Sequence, residues 1–287
     1  MTPLTAQSAV HYEESRLTTA DGLELFAQLW RAQSPKATVA LVHGIAEHSS
    51  RYRHVGEFLA ARGYSVYTFD LRGHGHSPGQ RSLVRHMDEY ASDVAAFLTW
   101  VRTVAPPVPL FLLGHSMGGL IVSYYVLSQQ PDLQGVVLSA PAVKLPGVSP
   151  VLVAVGRVLA RLLPSLPMRQ IEFAAISRDP LVIEASAKDM LTYHGGVPAA
   201  TGMAMLQAIA YVQQQRTQWR LPVLILQGSA DRIIEPTGSR ELYAAIPVTD
   251  KTLKWYEGLY HEIFNEPEKE VVMGDICAWL DSKSVGQ

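Results

Sequence analysis

Leu110-Phe111-Leu112-Leu113-Gly114-His115-Ser116-Met117-Gly118-Gly119 is the stretch that decides the fold. The apolar run 108–113 reads as a buried strand, and the apolar stretch 119–127 reads as a helix. Between them G-x-S-x-G puts a serine on a turn too sharp for side chains on either side, so its Oγ stands clear of the sheet. The helix behind it directs free N–H groups and partial positive charge at the same point. Such a unit belongs in an α/β sheet whose chemistry gathers at the carboxyl ends of its strands.

A second match, Gly75-His76-Ser77-Pro78-Gly79, fails on backbone chemistry. The residue after the nucleophile must donate its N–H to the oxyanion, and Pro78 has none. No helical apolar pattern begins at Ser77 either. Ser77 is therefore read as a loop residue and Ser116 as the nucleophile.

The partners of Ser116 follow by elimination. Around such an elbow the acid and then the histidine come later in the chain. Of the ten histidines only His194 and His261 follow Ser116. Val223-Leu224-Ile225-Leu226-Gln227 reads as a strand with Gly228-Ser229-Ala230-Asp231 as its terminal loop. Thr252-Leu253-Lys254-Trp255-Tyr256 reads as the next strand, ending in Gly258-Leu259-Tyr260-His261. Asp231 and His261 thus fall on adjacent loops at one edge of the sheet. His194 lies where no strand pattern exists, beside Gly195-Gly196 and near Asp189 on what reads as one helix, and is set aside.

A second oxyanion donor must come from the loop after an earlier strand. Thr38-Val39-Ala40-Leu41-Val42 is that strand, and His43-Gly44-Ile45-Ala46-Glu47-His48 follows it. The backbone N–H groups of Ile45 and Met117 are assigned to the hole, with Gly44 permitting the close backbone approach. Glu47 and Arg51 suit a local ion pair that braces this loop, or a role in binding the substrate's head group. His43, His48, His54, His74 and His76 match no compact zinc spacing, and no acid or cysteine in the sequence pairs convincingly with them, so no metal site is expected.

With 287 residues, 48% apolar, 17% charged and a net charge of −2, the chain can bury one large core or a core with an insertion. That balance lacks the basic face that nucleic acid requires. Cys277 is the single cysteine, which excludes an intrachain disulfide and fits a reducing compartment. Residues 1–16 have neither a basic n-region nor an apolar h-region, and no run of about 20 apolar residues is present. A cytoplasmic protein is expected; the sequence is silent on oligomeric state.

Residues 16–19 and 23–30 flank Asp21-Gly22 as an opening hairpin. Strands and helices then alternate, which implies a mostly parallel sheet covered by helices on both faces. Asp70 precedes the nucleophile and reads as an acceptor fixing the loop Leu71-Arg72-Gly73-His74-Gly75. From 141 to 220 no clear strand appears, so 1–140 with 221–287 form the core and 141–220 an inserted cap. Within it, Val151, Val155, Val158 and Leu162 share one helical face, with Arg157 and Arg161 opposite. That face either packs on its own domain or meets lipid or an acyl chain.

These residues together resemble the monoacylglycerol lipase family of α/β-hydrolases, with lysophospholipase-like and S33-type relatives. The resemblance rests on His43-Gly44-x-x-Glu47-His48-Ser49-x-Arg51-Tyr52, Asp70-x-Arg72-Gly73-His74-Gly75-x-Ser77, Gly114-His115-Ser116-Met117-Gly118-Gly119, Gln227-Gly228-Ser229-Ala230-Asp231 and Tyr260-His261, between about Asp21 and Trp279. It implies hydrolysis of a single-chain acylglycerol to fatty acid and glycerol without a cofactor, under a lid that borders an acyl tunnel and contacts membranes or micelles at the periphery. A broader carboxylesterase, a lysophospholipase or an S33-type peptidase is the alternative on the same fold. Mammalian members carry a histidine and a cysteine where this chain has Phe264 and Ile234. Ile234 is thereby implicated in a less polar glycerol end of the pocket.

Overall fold

The computed structural model describes residues 10–284; residues 1–9 of the stretch 1–16, which the sequence reading covers, lie outside it. An antiparallel hairpin opens the chain, with β1 (His11–Thr18) opposite β2 (Glu24–Arg31) and Gly22 N–H closing the turn onto Thr19 at 3.0 Å. β1 starts well before Arg16. Its first residues are exposed at a sheet edge, where ladder bonds form without the apolar alternation that sequence reading detects.

The alternation that follows is β3 (Ala37–Val42), α1 (Arg53–Ala60), β4 (Tyr64–Phe69), α2 (Met87–Val104), β5 (Leu110–His115), α3 (Met117–Gln129) and β6 (Gly135–Ser139). After the insertion come β9 (Val223–Gly228), α7 (Thr237–Ala245), β10 (Lys251–Tyr256) and α8 (Lys269–Ser284). The eight-stranded sheet runs β1-β2-β4-β3-β5-β6-β9-β10 and is parallel from β4 to β10.

Side-chain alternation splits each central strand between two cores. On β3, Ala40 and Val42 join Phe97, Leu120 and Ile225 on one face, while Val39 and Leu41 join Leu59, Ile276 and Leu280 on the other. Strand order reverses between β3 and β5. The chain leaves β3 toward β4 and returns to β5 on its other side, so the loops after these two strands part and open a crevice at their carboxyl ends. The glycine-rich loop after β3 and the elbow after β5 meet there.

Between β6 and β9 the chain forms α4 (Pro150–Leu162), α5 (Pro180–Lys188) and α6 (Ala199–Gln215). It also contains two very short strands, β7 (Pro167–Arg169) and β8 (Val197–Pro198), in a segment that reads as strandless. Two or three residues with a proline in each carry no period to detect. Ser149 caps α4 by accepting Leu152 N–H at 3.2 Å, with Pro150 in the first turn. α4 packs on α6 through Gly156, which faces Met203. Its apolar face is not packed on its own domain: Val151 and Leu162 are 73% and 72% exposed, and Val155 and Val158 lie between them in the open. No helix among the described residues is long and apolar enough to cross a membrane.

Candidate active site

Ser116 joins β5 to α3 with φ 54° and ψ −119°, a conformation that costs a non-glycine residue about 1–3 kcal/mol. Three backbone bonds hold it. Its N–H donates to Ser139 at 2.9 Å, and its carbonyl accepts from Leu120 at 3.1 Å and Ala142 at 3.0 Å. Gly118 lets α3 sit against the end of β3, since a Cβ there would overlap the carbonyl oxygens of Val42 and His43. A Cβ on Gly44 would lie 2.7 Å from Glu47 Oε1 and 3.1 Å from Ser116 Cβ, so this loop backs directly onto the serine. Neither Ile45 N–H nor Met117 N–H has a protein acceptor among the described residues.

The structure brings Ser116, His261 and Asp231 together. His261 Nε2 lies 2.8 Å from Ser116 Oγ, and His261 Nδ1 lies 2.7 Å from Asp231 Oδ2. A carboxylate at Nδ1 fixes the proton there, which leaves Nε2 to accept the serine hydroxyl. Asp231 is itself held. Its Oδ1 accepts Ile233 N–H at 2.9 Å and Ile234 N–H at 3.1 Å, and Gln227 Nε2 donates to Oδ2 at 3.2 Å. Ser239 Oγ fixes Gln227 by donating to its Oε1 at 2.7 Å. Burial pulls the His261 pKa down, but the facing Asp231 carboxylate outweighs it and leaves the imidazole above its ordinary 6.5. His115, whose ring is 5.0 Å from that of His261, is driven well below 6.5 by burial and by its neighbour, and stays neutral.

One end of the cavity beside Ser116 is polar. Glu47 Oε1 accepts Gly44 N–H at 2.5 Å and Tyr52 OH at 2.7 Å, so Glu47 does brace the loop after β3. Its other oxygen lies 3.8 Å from Arg51 Nε, but the closer partner of Arg51 is Glu262, whose Oε2 is 2.5 Å from Nη2. Ile171, Phe173, Ile176 and Ile233 form the apolar wall. The enclosed space amounts to about 30 Å³, room for a water or two and not for an acyl chain. Ile234 does not line it. That side chain is buried in the core while its neighbour Ile233 faces the cavity.

Several side chains sit where the sequence does not place them. His48, read as lacking an acid, has its Nε2 2.7 Å from Asp189 Oδ2 across 141 positions of sequence. Asp189 and His194 do not share a helix: Asp189 caps the end of α5, and His194 lies in the following turn against the Phe173 ring. Asp70 is a loop acceptor, taking Ser49 N–H and His76 N–H at 2.7 Å each, and Ser77 Oγ donates to the Asp70 carbonyl at 2.6 Å. Burial lowers His43 to about 4 and His74 to about 3, and both rings are spent on local hydrogen bonds. Among the described residues no group of three or more His, Cys, Asp or Glu is placed to hold a metal ion. Glu262 and Ser239, and the part Gln227 plays in holding Asp231, escaped sequence reading. The available signal was polarity out of place: Gln227 ends an otherwise apolar strand, and Glu262 interrupts a run that includes Leu259, Ile263 and Phe264.

A parallel sheet reversing at β3/β5, a strained serine at the elbow and loops from β9 and β10 converging on it define an α/β-hydrolase built for serine chemistry. Residues 33–268 match the family described as Serine aminopeptidase, S33, and the chain belongs to it. It is 39% identical to the monoacylglycerol lipase of Mycolicibacterium smegmatis, over 91% of this chain and 94% of that one. It is 33% identical to human monoglyceride lipase, over 98% and 94%. The crystal structure of Paleococcus ferrophilus monoacylglycerol lipase superposes with a TM-score of 0.82 at 34% identity, covering 91% of this chain and 99% of that one.

Proposed function

We propose that the chain is a monoacylglycerol lipase, hydrolysing a single-chain acylglycerol to fatty acid and glycerol through an acyl-enzyme. The observation that carries this reading is the relay Ser116–His261–Asp231, at 2.8 and 2.7 Å, opening on a cavity apolar on one wall and polar on the other. The relatives named above support the choice of acylglycerol.

Ser116 Oγ attacks the ester carbonyl as His261 Nε2 takes its proton, and Asp231 steadies the resulting imidazolium. The N–H groups of Ile45 and Met117 receive the oxyanion, each contributing about 3 kcal/mol. His261 returns the proton to the departing alcohol, and water then repeats the sequence on the acyl-enzyme. Glu47 and Arg51 border the alcohol. Residues 141–220 act as a cap, and entry of an acyl chain displaces the wall made by Ile171, Phe173 and Ile176. The exposed apolar face of α4, with Arg157 and Arg161 to its side, is the surface that meets lipid or micelles.

The test is the initial rate on monoacylglycerols of increasing chain length, beside matched di- and triacylglycerols, p-nitrophenyl acetate and an amino-acid anilide, with Ser116→Ala as blank. A maximum at a medium or long monoacylglycerol supports the reading. Preference for the acetate with no head-group dependence reduces the protein to a general carboxylesterase, and anilide cleavage above ester cleavage makes it a peptidase.

A further inference from the structure

We infer that Glu262 makes the alcohol end of the pocket a charge filter, which admits neutral or cationic leaving alcohols and rejects anionic ones. This rests on the ester-hydrolase reading above and goes on to specify its leaving group.

The basis is a count of charges around one cation. Among the described residues Arg51 is the only Lys or Arg that lines the cavity, and it is already engaged: Nη2 by Glu262, Nη1 by Ser186 Oγ at 2.8 Å, with Glu47 Oε2 at 3.8 Å from Nε. Two carboxylates thus share a single guanidinium, each in a residue only 6% exposed. Glu262 Oε2 is occupied twice, by Arg51 and by Asn265 Nδ2 at 2.8 Å, while Oε1 has no protein donor among the described residues. Glu262 lines the same small cavity as Ser116 and His261, which puts its carboxylate in the space that receives the departing alcohol. His115 is kept neutral by burial and by His261 and supplies no positive charge. Burial, against the pull of Arg51 and helped by Glu47, leaves the Glu262 carboxyl raised above its ordinary range.

A free carboxylate oxygen accepts hydroxyl donors, and a charge-assisted bond of that kind is strong. A phosphate or carboxylate in the same place meets a like charge in a poorly solvated site, and it can reach Arg51 only by breaking the pair with Glu262. A cationic head meets the opposite sign.

Three dodecanoyl esters, assayed below their micelle concentrations, separate charge from size: 1-dodecanoylglycerol, dodecanoylcholine and 1-dodecanoylglycerol 3-phosphate. Wild type should cleave the phosphate ester about 100-fold less efficiently in kcat/KM than the glycerol ester, with the choline ester within about tenfold of glycerol. Glu262→Gln keeps the shape and removes the charge, and should raise the phosphate-to-glycerol ratio about tenfold. Equal cleavage of phosphate and glycerol esters overturns the proposal. Equal rejection of phosphate and choline esters also overturns it, because size then decides; so does an unchanged ratio in Glu262→Gln. The wild-type series is decisive by itself should the variant not fold. Didodecanoylglycerol, run alongside, reports on the acylglycerol reading separately: its preferred cleavage counts against that reading whatever the charge ratio shows.

Discussion

The loops around Ser116 and helix α4 are built by opposite means. Around the serine, hydrogen bonds tie residues 171–194 of the insertion to the core, Ser177 Oγ donating to Asn265 and Arg178 pairing with Glu266 among them. Tyr193 N–H donates to Ala46 at 2.9 Å, Arg51 Nη1 to Ser186 at 2.8 Å and Glu262 N–H to Ile176 at 2.7 Å, while His48 faces Asp189 at 2.7 Å. α4 has no such ties. It rests on α6 around Gly156, with Val153 and Leu159 half-buried, and turns Val151, Leu152, Val155, Val158 and Leu162 to solvent. The segment therefore has two parts built differently: one tied by hydrogen bonds to the loops around the reacting centre, and a helix whose apolar face is exposed.

The largest effect expected separates chemistry from architecture. Ser116→Ala should lower kcat/KM by about 10⁴–10⁶-fold with the melting temperature and any vesicle binding through α4 retained; residual turnover near wild type in a clean preparation would remove Ser116 from its role. Gly118→Ala does the reverse. It forces a methyl into the ends of β3 and should destabilise by about 3 kcal/mol, a drop of several degrees in Tm by calorimetry.

Loosening the pinned part comes next. Asp189→Asn weakens the contact to His48 and should reduce kcat/KM on p-nitrophenyl acetate about tenfold, because the loop carrying Ile45 N–H shifts. An unchanged rate would mean that the loop stands without this tie. The pH profile sharpens the same point. His261 must be neutral to accept the serine proton, and its pKa is raised, so kcat/KM should fall on acidification along a limb centred above the ordinary 6.5. Asp231→Asn removes the carboxylate that raises it, and the limb should move to lower pH together with a large loss of rate. The smallest change belongs to α4. Val155→Asp with Leu162→Asp should alter stability by no more than about 0.5 kcal/mol, because both side chains are already exposed. Acetate turnover should remain as it was while turnover of vesicle-borne substrate falls; equal loss on both would show that the face packs inward during catalysis.

The two regions also differ in how much of them could be read from sequence. The elbow, the strands at 38–42, 65–69 and 135–139 and the loops bearing Asp231 and His261 announce themselves through local apolar runs and the glycines that end them. Nothing local announces the contact of His48 with Asp189 or of Arg51 with Glu262, because the partners lie 141 and 211 positions apart and only the folded chain brings them together. Ile234 stood in for Ile233 because loop geometry, not spacing from Asp231, decides which of two adjacent side chains faces the cavity. The apolar stripe on α4 was plain in the sequence. Its direction was not, since periodicity gives a face but not what the face meets.

Gly156 carries a last consequence. A helix packed on a single neighbouring helix around one small residue unlocks with a free energy of its own, smaller than that of the sheet beneath it. Amide exchange should therefore release α4 in a separate, earlier step than β3 or β5. Mild warming would then yield a population with its reaction centre whole and its entrance frayed, still turning over small dissolved esters at full speed. Shelf life judged by such esters would overstate shelf life judged on lipid.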